Sequence, residues 1–170
     1  MSLYKNRYRQ NTLRLSNWDY SSPGYYFVTI CTKDKQCYFG EINSSTIKYS
    51  TIGKKTIYLW NQILQHFSHV ELDKWILMPN HIHGIIILKE RKSIYEDFNK
   101  FSKPISCSLS TVINQFKASV TRWCNQNDFK HFSWQKSFYE HIIRSEASLA
   151  SIREYIANNP IKWELDEYYQ

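Results

Sequence analysis

The sequence predicts an α+β fold, an antiparallel β-sheet with helices packed on one face. Three observations lead there. Short runs rich in β-branched and aromatic residues are interspersed with longer stretches whose apolar residues recur at helical spacing. The order of these elements is strand, hairpin, helix, strand, strand, helix, helix, without the strict alternation that a parallel doubly wound sheet requires. Gly and Pro number only four each in 170 residues, so regular structure should dominate, in a chain long enough for one domain (1–170) with its own core.

Residues 1–20 are polar and basic and read as an arm, followed by a turn signal at Ser21, Ser22, Pro23 and Gly24. Tyr25 to Cys31 is a strand of β-branched and aromatic residues, and Tyr38 to Tyr49 reads as a hairpin turning at Asn43, Ser44 and Ser45. Ser50 or Thr51 caps a helix that runs to about Phe67, with Ile57, Trp60, Ile63, Leu64 and Phe67 at helical spacing. Leu72 to Met78 is a strand, Pro79 and Asn80 make a tight turn, and His81 to Leu88 is another strand. Residues 89–107 form a polar loop rather than a domain boundary. Ser108 or Ser110 starts a second helix through about Asn125, with Val112, Ile113, Phe116, Val120 and Trp123 on its apolar face. After a mixed segment at 126–144, Ser145 caps a third helix at 146–158. Pro160 ends it, because proline disfavours the helical conformation at the preceding Asn159.

The formal charge is +7, which favours a polyanionic partner, and Phe, Trp and Tyr make up 16% of the chain. Cations that track phosphates and rings that stack on bases are what single-stranded nucleic acid requires, although most such rings fill cores. Cys31, Cys37, Cys107 and Cys124 form no Cys-x-x-Cys pair, so a zinc ribbon is unsupported. No apolar run follows Lys5, Arg7, Arg9 and Arg14 as in a secretory signal, and none approaches a membrane span. The expected home is a reducing cytoplasm, with no membrane partner.

The chemical centre is His81-Ile82-His83. On a strand, residues i and i+2 share a face, so both imidazoles project together and can grip one divalent metal while Ile82 points the other way. Gly84 follows and is expected to leave room beside the pair. Ile85 stands where a histidine-triad hydrolase needs a third His and a metallo-β-lactamase-type site needs Asp. Paired His-x-Thr or His-x-Ser motifs and His-Glu-x-x-His are also missing. Two histidines with a ligand from elsewhere is the metal reading that remains. On the third helix, Leu149, Ile152 and Ile156 form an apolar stripe with Tyr155 at its margin and Asn159 one turn further along the same side. From spacing alone, Tyr155 reads first as a half-buried core aromatic, and Asn159 is equally explicable as a helix-ending residue.

Several spaced motifs, from about residue 20 to 165, resemble the REP-associated tyrosine transposases and their relatives, a branch of the single-tyrosine HUH transposases. They are Gly24-Tyr25-Tyr26-Phe27-Val28-Thr29-Ile30, Met78-Pro79-Asn80-His81-Ile82-His83-Gly84, Phe116-Lys117, Trp134-Gln135, Tyr139-Glu140-His141-Ile142-Ile143-Arg144, and Arg153-Glu154-Tyr155-Ile156 ahead of Asn159-Pro160. The resemblance implies a ferredoxin-like or RRM-like domain, with His81 and His83 as ligands for Mg²⁺ or Mn²⁺, Asn159 in the place of the third ligand, and Tyr155 as nucleophile. Relatives often carry Gln at the Asn159 position. His141 lies in a family motif and is a possible ligand or substrate contact.

The implied activity is DNA nicking and strand transfer at single-stranded or hairpin DNA, through a 5′-phosphotyrosine that leaves a free 3′-OH. Lys5, Arg7, Arg9, Arg14, Lys117 and Arg122 are the candidate phosphate contacts, and the resemblance admits monomer or homodimer. Three alternatives stay open: a hairpin-binding protein that no longer moves DNA, a metal-dependent phosphodiesterase using water, and an RNA-binding module of the same fold.

Overall fold

The computed structural model describes residues 19–44, 46–90, 108–165 and 168–169, together with the backbone of 3–4 and 7–8. Lys5, Arg9, Arg14, Cys107 and most of the 89–107 loop lie outside the described residues, as does the Arg7 side chain.

Two short strands, β1 (Leu3–Tyr4) and β2 (Arg7–Tyr8), pair with each other. Then come β3 (Gly24–Cys31), a 3₁₀ turn at Lys33–Lys35, and the hairpin of β4 (Gly40–Asn43) and β5 (Thr46–Tyr49). They are followed by α1 (Thr51–Asn61), α2 (Ile63–His66), β6 (Val70–Leu77), β7 (His81–Leu88) and α3 (Leu109–Gln126). β8 (Tyr139–Ile143), α4 (Glu146–Asn158) and a 3₁₀ turn at Trp163–Leu165 complete the order.

The main sheet has four strands in the order β6-β7-β3-β8, every neighbouring pair antiparallel. Taken in sequence as β3, α1, β6, β7, α3, β8, this is the split β-α-β arrangement of a ferredoxin-like α+β domain. The predicted caps form. Ser50, Ser108 and Ser145 each accept a backbone N–H from three residues on, at Gly53, Thr111 and Ser148. The first helix is interrupted at Gln62, so the stretch expected as one helix to Phe67 is α1 followed by one short turn, α2.

Strand alternation gives the sheet two distinct faces. Tyr26, Val28 and Ile30 of β3 and Ile82, Ile86 and Leu88 of β7 join the large core, with Trp60 from α1 and Val112, Ile113, Phe116 and Val120 from α3. That is the helix-covered face expected from sequence. On the opposite face, Ile85 and Ile143 pack against Leu149 and Ile156 of α4 in a smaller cluster. The tyrosine helix therefore lies across the face that carries the histidines.

Two expectations need correction. The segment 126–144, expected as a mixed stretch, contains an edge strand, β8. Gly84 does not open space beside the histidines, because it points to the other face. A Cβ there would meet the Trp60 ring at 2.8 Å, so the missing side chain lets the Trp60 indole rest on the sheet.

Candidate functional site

β7 holds His81 and His83 on one face of a central strand, with 0% and 1% of their surfaces exposed and ring centroids 4.3 Å apart. Each ring is held by its Nδ1. His83 Nδ1 hydrogen-bonds Thr29 Oγ1 at 2.9 Å, Thr29 being its cross-strand partner on β3. His81 Nδ1 donates to the Asn80 side-chain oxygen at 2.8 Å, while its Nε2 is buried and makes no hydrogen bond among the described residues. Burial, reinforced by the charge of Lys35, lowers the His81 pKa to about 3, so the ring is neutral near pH 7, as a metal ligand must be.

α4 brings Tyr155 to the same place. Its hydroxyl lies 3.2 Å from His83 Nε2, and its ring meets Phe27 edge-on at 6.1 Å. Phe27 in turn stacks on His83 at 5.5 Å. Tyr155 remains 44% exposed, so its oxygen is both anchored and reachable. The helix is clamped to β6 by a bidentate pair in which Arg153 donates from Nε and Nη2 to the Asp73 carboxylate, the shortest contact being 2.6 Å. Asn159 is buried at the C-cap of α4, one turn beyond Tyr155.

The other candidates separate. His141 is exposed on β8 and pairs with Phe27, so it shares the histidine face but lies two strands from β7, roughly 10 Å across the sheet. That position suits contact with a bound substrate better than coordination beside His81. Lys117 was expected at phosphate, but it is buried and its ammonium donates to the backbone oxygens of Gln135, Lys136 and Ser137. Three carbonyls match the three donors of a lysine, and burial depresses its pKa against a smaller opposing effect of Cys31. Lys117 therefore fastens the loop before β8. Arg122 is exposed further along α3, beside an open groove of about 590 Å³ that Trp134 and Lys136 also line.

The site also contains residues that the sequence reading gave no role. Asn80 and Thr29 orient the imidazoles, Phe27 packs against both His83 and Tyr155, and the Tyr168 ring packs 4.6 Å from His81. Asn80, Thr29 and Phe27 stood inside quoted motifs, but only cross-strand register shows what they touch. Cys31, Cys37 and Cys124 form no disulfide with one another. Among the described residues no group of three or more His, Cys, Asp or Glu could hold a metal, and no helix is long and apolar enough to cross a membrane.

No family model matches the chain. An uncharacterized protein of Haemophilus influenzae is 36% identical over 174 residues, covering 95% of this chain and 94% of that protein. A second Haemophilus influenzae protein, provisionally named a REP-associated tyrosine transposase, is 26% identical over 161 residues, covering 87% of this chain and 77% of its own length. A solved structure of a REP-associated tyrosine transposase bound to a REP hairpin shares the fold, with a TM-score of 0.62 at 18% identity over 91% of this chain and 77% of that one. Fold and sequence together define a relative of the transposases. The chain is a relative of the 36% identical uncharacterized protein, and it resembles the REP-associated tyrosine transposases in sequence and in fold.

Proposed function

We propose that this chain nicks single-stranded DNA beside a hairpin and rejoins strands through a covalent bond to Tyr155. The observation that carries this reading is the 3.2 Å approach of the Tyr155 hydroxyl to His83 Nε2, beside a second buried imidazole. A REP hairpin bound to the solved relative supports hairpin DNA as the partner.

The donor set fits a divalent metal, Mg²⁺ or Mn²⁺. Two buried imidazoles face the same side, and the buried His81 Nε2 has no protein hydrogen bond among the described residues to compete for it. His81 and His83 would hold the ion through Nε2, with the Asn159 amide oxygen as third ligand. When bound, such an ion neutralises charge developing on the scissile phosphate and orients it for in-line displacement.

Tyr155 Oη attacks phosphorus, forms an ester to the 5′-phosphate and breaks the bond to the 3′ oxygen. The tyrosine proton is lost, and the leaving 3′ oxygen gains one to become the free 3′-OH. A second 3′-OH reverses it and restores Tyr155 without ATP, because the phosphotyrosine conserves the bond energy. His141 and Arg122 serve as contacts to the bound strand.

The test uses single-stranded oligonucleotides covering the DNA that flanks the gene, incubated with Mn²⁺. A denaturant-resistant protein–DNA adduct, lost with Tyr155→Phe and with a chelator, is the expected result. Cleavage without an adduct would point to the water-using phosphodiesterase instead, and metal-independent binding without cleavage to a hairpin-binding protein.

A further inference from the structure

Asn80 sits in the turn between β6 and β7, with none of its surface exposed. Its amide nitrogen donates to two backbone carbonyls, Lys35 O at 2.9 Å and Tyr168 O at 2.7 Å. Its backbone carbonyl accepts from the Thr32 backbone N–H at 2.9 Å and the Thr32 hydroxyl at 3.0 Å. The two bonds from the side-chain nitrogen leave one way round for the amide. Turned over, its oxygen would face two carbonyl oxygens at hydrogen-bond distance, acceptor against acceptor.

The remaining contact is then determined. The side-chain oxygen, 2.8 Å from His81 Nδ1, can only accept, so Nδ1 must carry the hydrogen. A neutral imidazole has one N–H and one lone pair, which leaves the lone pair on Nε2, the atom that is buried without a hydrogen bond among the described residues. We propose that Asn80 is a positioning residue that fixes the Nδ1–H tautomer of His81 and so presents its Nε2 lone pair to the site. The use of that lone pair for a metal ion rests on the function proposed above. The tautomer itself does not, since it follows from contacts within the protein. Asn80 acts only through the ring, like the hydrogen-bond acceptors that orient ligating histidines elsewhere.

The lock has a long reach along the chain. Lys35 closes a 3₁₀ turn in which Asp34 and Lys35 both adopt positive φ, 52° and 53°. Tyr168 lies beyond α4, and its ring also packs beside His81. The turn after β3 and the segment after α4 thus meet on one amide, which hands their placement to one histidine.

The experiment reads the tautomer directly, by long-range ¹H–¹⁵N correlation on the chelator-treated full-length protein, and then titrates Mn²⁺ alone by calorimetry. Wild type should show His81 protonated at Nδ1. Asn80→Leu should lose that preference and bind Mn²⁺ about ten- to a hundredfold more weakly. A wild-type His81 protonated at Nε2 would overturn the proposal, as would a folded Asn80→Leu with tautomer and affinity unchanged. The wild-type spectrum decides the tautomer even if Asn80→Leu fails to fold. An Nδ1–H ring in a protein that binds no Mn²⁺ would support the lock and sink the metal reading of the site.

Discussion

At the scale of single residues, the hydrogen bond between Tyr155 and His83 sets what either can do. On the proposed metal reading, His83 Nε2 cannot serve the Tyr155 hydroxyl and an ion at once, so loading the site would release the tyrosine oxygen from that nitrogen. Tyr155→Phe removes only the oxygen from a side chain that is 44% exposed, so its stability cost should be about 1 kcal/mol or less while the covalent adduct disappears entirely. Denaturant unfolding run beside the adduct assay checks both. His81 makes a different prediction. Its folded pKa is lowered to about 3, from burial and then the Lys35 charge, against about 6.5 when unfolded. Between those values the unfolded chain binds a proton that the folded ring refuses, so stability must fall as pH drops from about 6.5 toward 3. Chelator-treated wild type should lose stability over that window, and His81→Gln should flatten the slope. Gly84 shows how little the same strand tolerates on its other side. An added Cβ would press on the fully buried Trp60 ring at 2.8 Å, so Gly84→Ala should cost about 1–3 kcal/mol, read as a lower denaturation midpoint.

At the scale of elements, α4 decides whether Tyr155 is in place. The helix buries Leu149 and Ile156 on a small cluster, and the Arg153–Asp73 pair ties its outer side to β6. Burial pushes the Asp73 carboxyl upward, but hydrogen bonds from Arg153 and the Lys74 backbone, with both their charges, outweigh it and hold the group below the usual range. A carboxyl lowered in this way contributes above its unfolded pKa of about 3.9, and the contribution is lost as pH falls through the lower folded value. Asp73→Asn should therefore raise amide exchange in α4 at neutral pH while α1 and α3 stay protected, and should slow adduct formation. The ends of α4 were legible, because Ser145 and Pro160 are local signals. Its partner on β6 was not, since 80 residues separate Arg153 from Asp73. β8 escaped for a related reason. As an edge strand it keeps Tyr139 and His141 exposed and buries Ile143, so it has no apolar run to announce it.

At the scale of the whole molecule, the sheet divides labour between its faces, and that division decides which charges can matter to a nucleic acid. Periodicity made the sheet and its helix-covered core readable, and the i, i+2 rule put His81 and His83 together. It could not tell a solvated lysine from a buried one. Lys117 follows Phe116 in α3, and neither propensity nor charge reveals that its ammonium is spent on three carbonyls of the loop before β8. Arg122, five residues further on, is exposed beside Lys136 and Trp134. The two cations should therefore separate cleanly. Lys117→Met leaves carbonyls without their donor and should cost about 1–3 kcal/mol of stability. It should leave the salt dependence of hairpin binding as it was. Arg122→Ala should stay within about 0.5 kcal/mol of wild-type stability. It should lower the slope of log K against log salt by about 0.7–0.9, the change expected when one phosphate contact and its released counterion are removed. Titrating a fluorescent hairpin oligonucleotide at several salt concentrations, in chelator so that cleavage does not intervene, measures both slopes. An unchanged slope for Arg122→Ala would place the DNA path away from that part of α3.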